Sequence, residues 1–213
     1  MADKLSVYNG ALLALGERKL VSVTENRASR RRLDSVWDAN GVKSCLQAGF
    51  WNFAMRALEL SFSPSITPAF GLRYAFDKPS DWVRTWLVSG DDRFTEELRG
   101  YEDEGAYWYA DPDTIWVRYV SNDSQLGGDL SLWPENFTRY VEGYFAWRIC
   151  KSTTGSNGDK DSLGAEMERL LKRARATDAM DETTRFPPEG SWSKSRRGWG
   201  SRRDRGNRGS LIG

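Results

Sequence analysis

The chain has 213 residues, 39% of them hydrophobic and ten of them tryptophan, enough for a sizeable core and too apolar for a disordered polypeptide. Its formal net charge of +1 gives no global field that would draw it to nucleic acid or an anionic membrane. It contains no histidine, which excludes Ser-His-Asp and Cys-His nucleophile pairs and histidine-ligated zinc.

The opening stretch, "MADKLSVYNG", lacks the apolar core and cleavage site of a secretory signal, and no apolar run reaches bilayer length. Leu5, Tyr8, Leu12 and Leu13 recur at helical spacing, predicting a helix over about 4–15 that ends at Gly16. A second helix is expected over about 23–48, with Ser22-x-x-Glu25 as its capping box. Leu33, Val36, Trp37, Cys45 and Leu46 supply its apolar face. Arg30, Arg31 and Arg32 form a basic cluster on this helix, read either as a solvated face or as an interface or DNA-facing surface.

Between about 50 and 129 the period changes to a mixture of aromatic and β-branched residues punctuated by proline. "AYWYADPDTIWVRYV" is expected to be a hairpin. Tyr107 and Tyr109 alternate with Trp108, residues 110–113 make the turn with Asp111 and Asp113, and Ile115, Val117 and Tyr119 alternate on the return. Helix resumes at Pro134 over about 134–152, with Phe137, Tyr140, Val141, Tyr144 and Phe145 on one stripe. A loop, "KSTTGSNGDKDS", precedes a last helix over about 162–180 capped by Asp161 or Ser162. Its apolar face carries Leu163, Met167, Leu170, Leu171 and Ala174. The expected fold is therefore mainly α: an antiparallel helical bundle with a small inserted β-hairpin region. The body spans residues 1–182, and residues 183–213 form an extended C-terminal arm rich in proline, glycine and arginine.

Few motifs carry chemistry. There is no GxxxxGK[ST] phosphate loop and no GxGxxG after a strand. Cys45 and Cys150 lack metal-ligand spacing and read as buried thiols. The carboxylate groupings Asp91-Asp92, Glu102-Asp103-Glu104 and Asp111 with Asp113 sit in polar loops, where both members of a pair stay ionised. They support no catalytic pair and no metal site. No catalytic residue, metal or cofactor is assigned.

The arm is the stronger signal. From Pro187 to Gly213, one lysine and six arginines stand against Glu189 and Asp204, a net of +5 that leaves −4 on the remainder. Arginines spaced by glycine and serine suit phosphate contacts, with Trp192 and Trp199 stacking on bases. The same composition suits a segment that folds against a partner protein, tryptophans as anchors and arginines as pairing groups. A plain disordered terminus is the third reading.

The order of motifs resembles the head-to-tail adaptor proteins of short-tailed bacteriophages, the tail tubular protein A family. The resemblance runs over residues 5–182 and rests on several stretches in order. These are Asn9-x-Ala-Leu-x-x-Leu-Gly-Glu17, Ser22-Val23-Thr24 and Trp51-Asn52-Phe53-Ala54. "YAFDKPSDWVRTW", "WYADPDTIWVRYV", "WPENFTRYVEGYFAWRICKSTTGS" and "AEMERLLKRARATDAMDE" follow. The chain departs from the pattern at Lys78, where an apolar residue is usual before the proline, in lacking a large inserted domain, and in its arginine-rich tail.

The resemblance implies a structural virion protein at the head-tail interface, assembled in the host cytoplasm, and not an enzyme. Such adaptors form a dodecameric homo-oligomeric ring beneath the portal protein, present a platform to the tail nozzle or next tail component, and let DNA pass through a central channel without contacting membrane. The hairpin with Tyr107, Tyr109, Asp111 and Asp113 would face the tail. The arm would bind the portal through Trp192, Lys194, Arg196, Arg197, Trp199, Arg202, Arg203, Arg205 and Arg208. Heterologous contacts that close by rotation, and a mildly acidic body along which DNA slides, agree with this reading. The alternative is a nucleic-acid-binding protein that acts through its basic tail.

Overall fold

In the computed structural model, which describes residues 2–69 and 71–181, the first helix is fixed at both ends by its own sequence. Helix α1 spans Lys4–Ala14, and Asp3 and Ser6 exchange side chain-to-amide hydrogen bonds of 2.6 and 2.9 Å in a capping box. At its other end Gly16 adopts φ +70°, so the amides of Gly16 and Glu17 reach back to the carbonyls of Leu13 and Leu12. Asn9 then clamps the loop that follows: its side-chain amide donates to the Leu20 carbonyl at 3.1 Å and accepts the Leu20 amide at 2.7 Å. Val7, Tyr8, Ala11 and Leu12 are buried, whereas Leu13, expected on the apolar face, is 65% exposed.

The second expected helix is two. Helix α2 spans Ala28–Asp38 and helix α3 spans Gly41–Gln47, separated at Asn40, whose φ of 61° is left-handed. Asparagine tolerates that conformation better than most residues, and the chain turns there. Ser22 and Glu25 lie ahead of α2 and do not cap it. Glu25 accepts the Val21 amide at 2.9 Å, and Ser22 accepts the Thr24 amide at 3.1 Å, so both stabilise a turn. Helix α3 is closed by a side chain from beyond it: the buried Trp51 indole donates to the Cys45 and Leu46 carbonyls at 3.2 and 3.0 Å.

Six strands follow: β1 Met55–Ser61, β2 Tyr74–Asp77, β3 Trp82–Ser89, β4 Glu102–Glu104, β5 Tyr107–Ala110 and β6 Thr114–Ser121. They form two three-stranded antiparallel sheets, ordered β1-β6-β3 and β2-β5-β4. Helices α4, Glu135–Thr154, and α5, Asn157–Met180, complete the unit. Gly155 ends α4, and Ser156, accepting the Asp159 amide at 3.2 Å, caps α5. Helix α5 therefore begins ahead of Asp161 and Ser162, the caps expected from sequence.

The architecture corrects the mainly α expectation. At 44% helix and 20% strand, with two sheets, the body is a mixed α/β structure and not a helical bundle with a small inserted hairpin. The expected hairpin is not one either. Strand β5 pairs with β2 and β4, and β6 pairs with β1 and β3, so Asp111 to Asp113 arch from one sheet to the other. The alternation turns Trp108, Ile115, Val117 and Tyr119 inward, and a hairpin and an arch share it. Phe76, Trp108 and Ala110 from one sheet meet Val88, Ile115, Val117 and Tyr119 from the other in a core of their own. A second core joins Val83 and Val120 to the helices, with Tyr8, Leu12, Leu33, Leu46, Trp51, Phe137, Val141 and Phe145 at its centre. Cys45 and Cys150 are buried free thiols.

Candidate functional site

The basic cluster of α2 comes apart once folded. Arg30 reaches Asp34 one turn later at 2.5 Å, and its Nε donates to the Glu25 carbonyl at 2.8 Å. Asp34 also accepts the Tyr8 hydroxyl at 2.7 Å and lies 3.3 Å from the Lys4 ammonium. Burial alone would raise the Asp34 carboxyl. The Tyr8 hydroxyl and the two cations outweigh it and hold the group below its ordinary value. Arg30 therefore belongs to the α1–α2 contact, while Arg31 is exposed.

Arg32 points elsewhere. Its Nη1 donates to the Thr153 hydroxyl on α4 at 3.3 Å. There it lines a surface cavity of about 460 Å³ with Ser35 of α2, Trp147, Arg148 and Ser152 of α4, and Lys160 of α5. The Lys160 ammonium lies 5.1 Å from the centre of the Trp147 ring, and the Arg148 guanidinium lies 6.0 Å from that of Tyr144. Three cations thus converge on one cavity, each steadied by a hydroxyl or an aromatic face, and no carboxylate lines it. Sequence reasoning marked Arg32 only as one of the Arg30–Arg31–Arg32 cluster and missed Arg148 and Lys160. They belong to different helices, and only the packing of α2, α4 and α5 brings them together.

The polar groups of the β region face one another. Asp81 accepts Arg56 at 3.0 Å, the Tyr119 hydroxyl at 3.1 Å and the Ser121 hydroxyl at 2.5 Å. Burial raises its carboxyl, but these three donors outweigh that and hold it low, while burial and the nearby Asp81 charge raise the Tyr119 phenol. Asp103 likewise gathers Lys78, Thr85 and the Trp108 indole. Desolvation would raise it, but the hydrogen bonds from Lys78 and Thr85 prevail and keep it ionised. Asp91 is bound by Ser89 and Thr95 within its own loop. These carboxylates serve as acceptors at strand ends and loops.

Tyr107 and Tyr109 lie opposite the buried Trp108 on β5, their ring centres 6.2 Å apart on the outer face of the sheet. Asp111 and Asp113 are exposed in the arch, and the Asp113 carbonyl accepts the Phe62 amide at 3.2 Å. The arm residues Trp192, Lys194, Arg196, Arg197, Trp199, Arg202, Arg203, Arg205 and Arg208 lie outside the described residues. No helix among the described residues is long and apolar enough to cross a membrane. A scan against protein-family models and a search of curated proteins found no match.

Proposed function

We propose that this chain is a structural ring subunit that joins a phage portal to its tail and forms part of the DNA conduit. The observation that carries the reading is the ordered series of adaptor-like motifs over residues 5–182. The positions that carry the resemblance are also ones that organise this fold. Asn9 clamps the loop after α1, Gly16 ends that helix, Trp51 closes α3, and Asn52 binds Asp178 at the far end of α5 through its amide at 3.0 Å.

Within this reading the arm from residue 187 onward is the portal-binding segment, and the outer face of β5 with its two tyrosines is the tail-facing surface. Tyrosine pairs of this kind suit an interface, since each buries large area at little entropic cost. Removing residues 187–213 tests the assignment: the truncated chain is expected to retain its circular dichroism spectrum and lose co-sedimentation with portal. Undiminished co-sedimentation overturns the role given to the arm. The composition of the tail favours a second reading, nucleic-acid binding. It requires DNA affinity that falls steeply with salt as phosphate contacts release counterions.

A further inference from the structure

We infer that the cavity between α2, α4 and α5 is a binding site for a phosphoryl group. The inference stands on the cavity and does not depend on the adaptor reading. Arg32, Arg148 and Lys160 bring three positive charges to one opening, beside Ser35 and Ser152, whose hydroxyls donate to the Arg32 and Ile149 carbonyls. Arginine forks and a lysine ammonium complement the oxygens of a tetrahedral oxyanion. The cations are also pre-positioned. Arg32 is held by Thr153 at 3.3 Å, Lys160 stands over Trp147, and Arg148 lies against Tyr144. Groups already ordered lose less freedom when a ligand arrives.

Several other cations among the described residues are paired internally. Arg30 pairs with Asp34, Arg56 with Asp81 and Lys78 with Asp103. At the cavity the nearest acids in sequence, Asp159 and Asp161, flank Lys160 on α5, yet neither lines the opening. A volume of about 460 Å³ exceeds what a bare ion needs and admits the ester portion of a larger molecule. Lys160 stands over one face of Trp147, so the aromatic ring positions a charge at this opening. The phosphoryl group can belong to a small phosphate ester or to a nucleic-acid backbone, which present the same oxygens.

The test is a titration of the isotopically labelled full chain, followed by the amide resonances of Ser35, Ser152 and Lys160. Inorganic phosphate, adenosine monophosphate and a short DNA duplex are the three ligands, with acetate as the comparison anion. Phosphate should shift these resonances saturably and acetate should not. Arg32→Gln and Lys160→Gln should each weaken phosphate binding by about tenfold, whereas Arg169→Gln, on the exposed part of α5, should leave it unchanged. Displacement of phosphate by duplex assigns the site to a nucleic-acid backbone; displacement by the monophosphate alone assigns it to a small ester. Three results overturn the proposal: no saturable shift, equal weakening in Arg169→Gln, or acetate binding as well as phosphate.

Discussion

The Lys78 ammonium, 4% exposed at its side chain, lies against the Asp103 carboxylate and 4.2 Å from the centre of the Trp82 ring. It also donates to the Gly105 carbonyl at 2.9 Å, so one cation joins the residue before Pro79 to the β4–β5 turn. This gives a physical reason for a lysine where the resemblance leads one to expect an apolar residue. The side chain is nearly covered, but its neighbours are a carboxylate, a carbonyl and the aromatic faces of Trp82 and Trp108.

Breaking this pair from either side should cost unequally. Asp103→Ala leaves a buried ammonium without its counter-charge, and a loss of about 3–5 kcal/mol is expected. Lys78→Leu leaves a carboxylate that is 33% exposed and still bound by Thr85 and Trp108, so the loss should be smaller, about 1–3 kcal/mol. Urea unfolding of the two variants and of Lys78→Leu/Asp103→Asn checks the order. The double variant should recover part of the loss.

Glu142 on α4 predicts a pH dependence. A side chain at Gly10 of α1 would meet the Glu142 carboxyl carbon at 2.1 Å, so the carboxyl occupies the notch that glycine leaves. Burial there, reinforced by Glu135 and opposed by Arg139, pushes its pKa up from 4.5 to about 7. Between these values the native state binds more protons than the unfolded chain. Stability should therefore fall as pH rises from 4.5 to about 7 and level off above. Glu142→Gln should stabilise the protein at pH 8 by on the order of 2 kcal/mol and change little near pH 4. Melting temperatures at both pH values decide it.

Trp51 combines packing with capping. Trp51→Phe retains most of the ring but removes the indole donor, leaving the Cys45 and Leu46 carbonyls only the Ala48 and Gly49 amides at 3.2 and 3.4 Å, for an expected loss of about 1 kcal/mol. Trp51→Ala should also open a cavity beside Phe137, whose ring centre lies 4.8 Å away, and cost about 3–5 kcal/mol. Denaturant midpoints with an unchanged slope would show that stability alone has moved.

Much of this fold was legible where local chemistry decides it. The stripe on α4 was read correctly at Phe137, Tyr140, Val141 and Phe145, and Gly16 marked the end of α1. Chain reversals and long-range pairings were not legible. Asn40 breaks the second helix inside an otherwise helical pattern, and the arch at Asp111 to Asp113 carries the same alternation a hairpin would. The strands are short and dispersed, so their assembly into two sheets with a separate core left no periodic trace. The cavity shows the same limit. Arg32 was visible within a basic run, but its separation from Arg30 arises from the Asp34 contact, and its partners Arg148 and Lys160 meet it only through helix packing.

The adaptor proposal is tested most directly by electron microscopy of the full chain mixed with its portal. The account predicts closed rings of the chain seated coaxially on the portal, with a central opening wide enough for duplex DNA. A chain that remains unassembled in the presence of portal, or that decorates DNA without forming a ring, contradicts it.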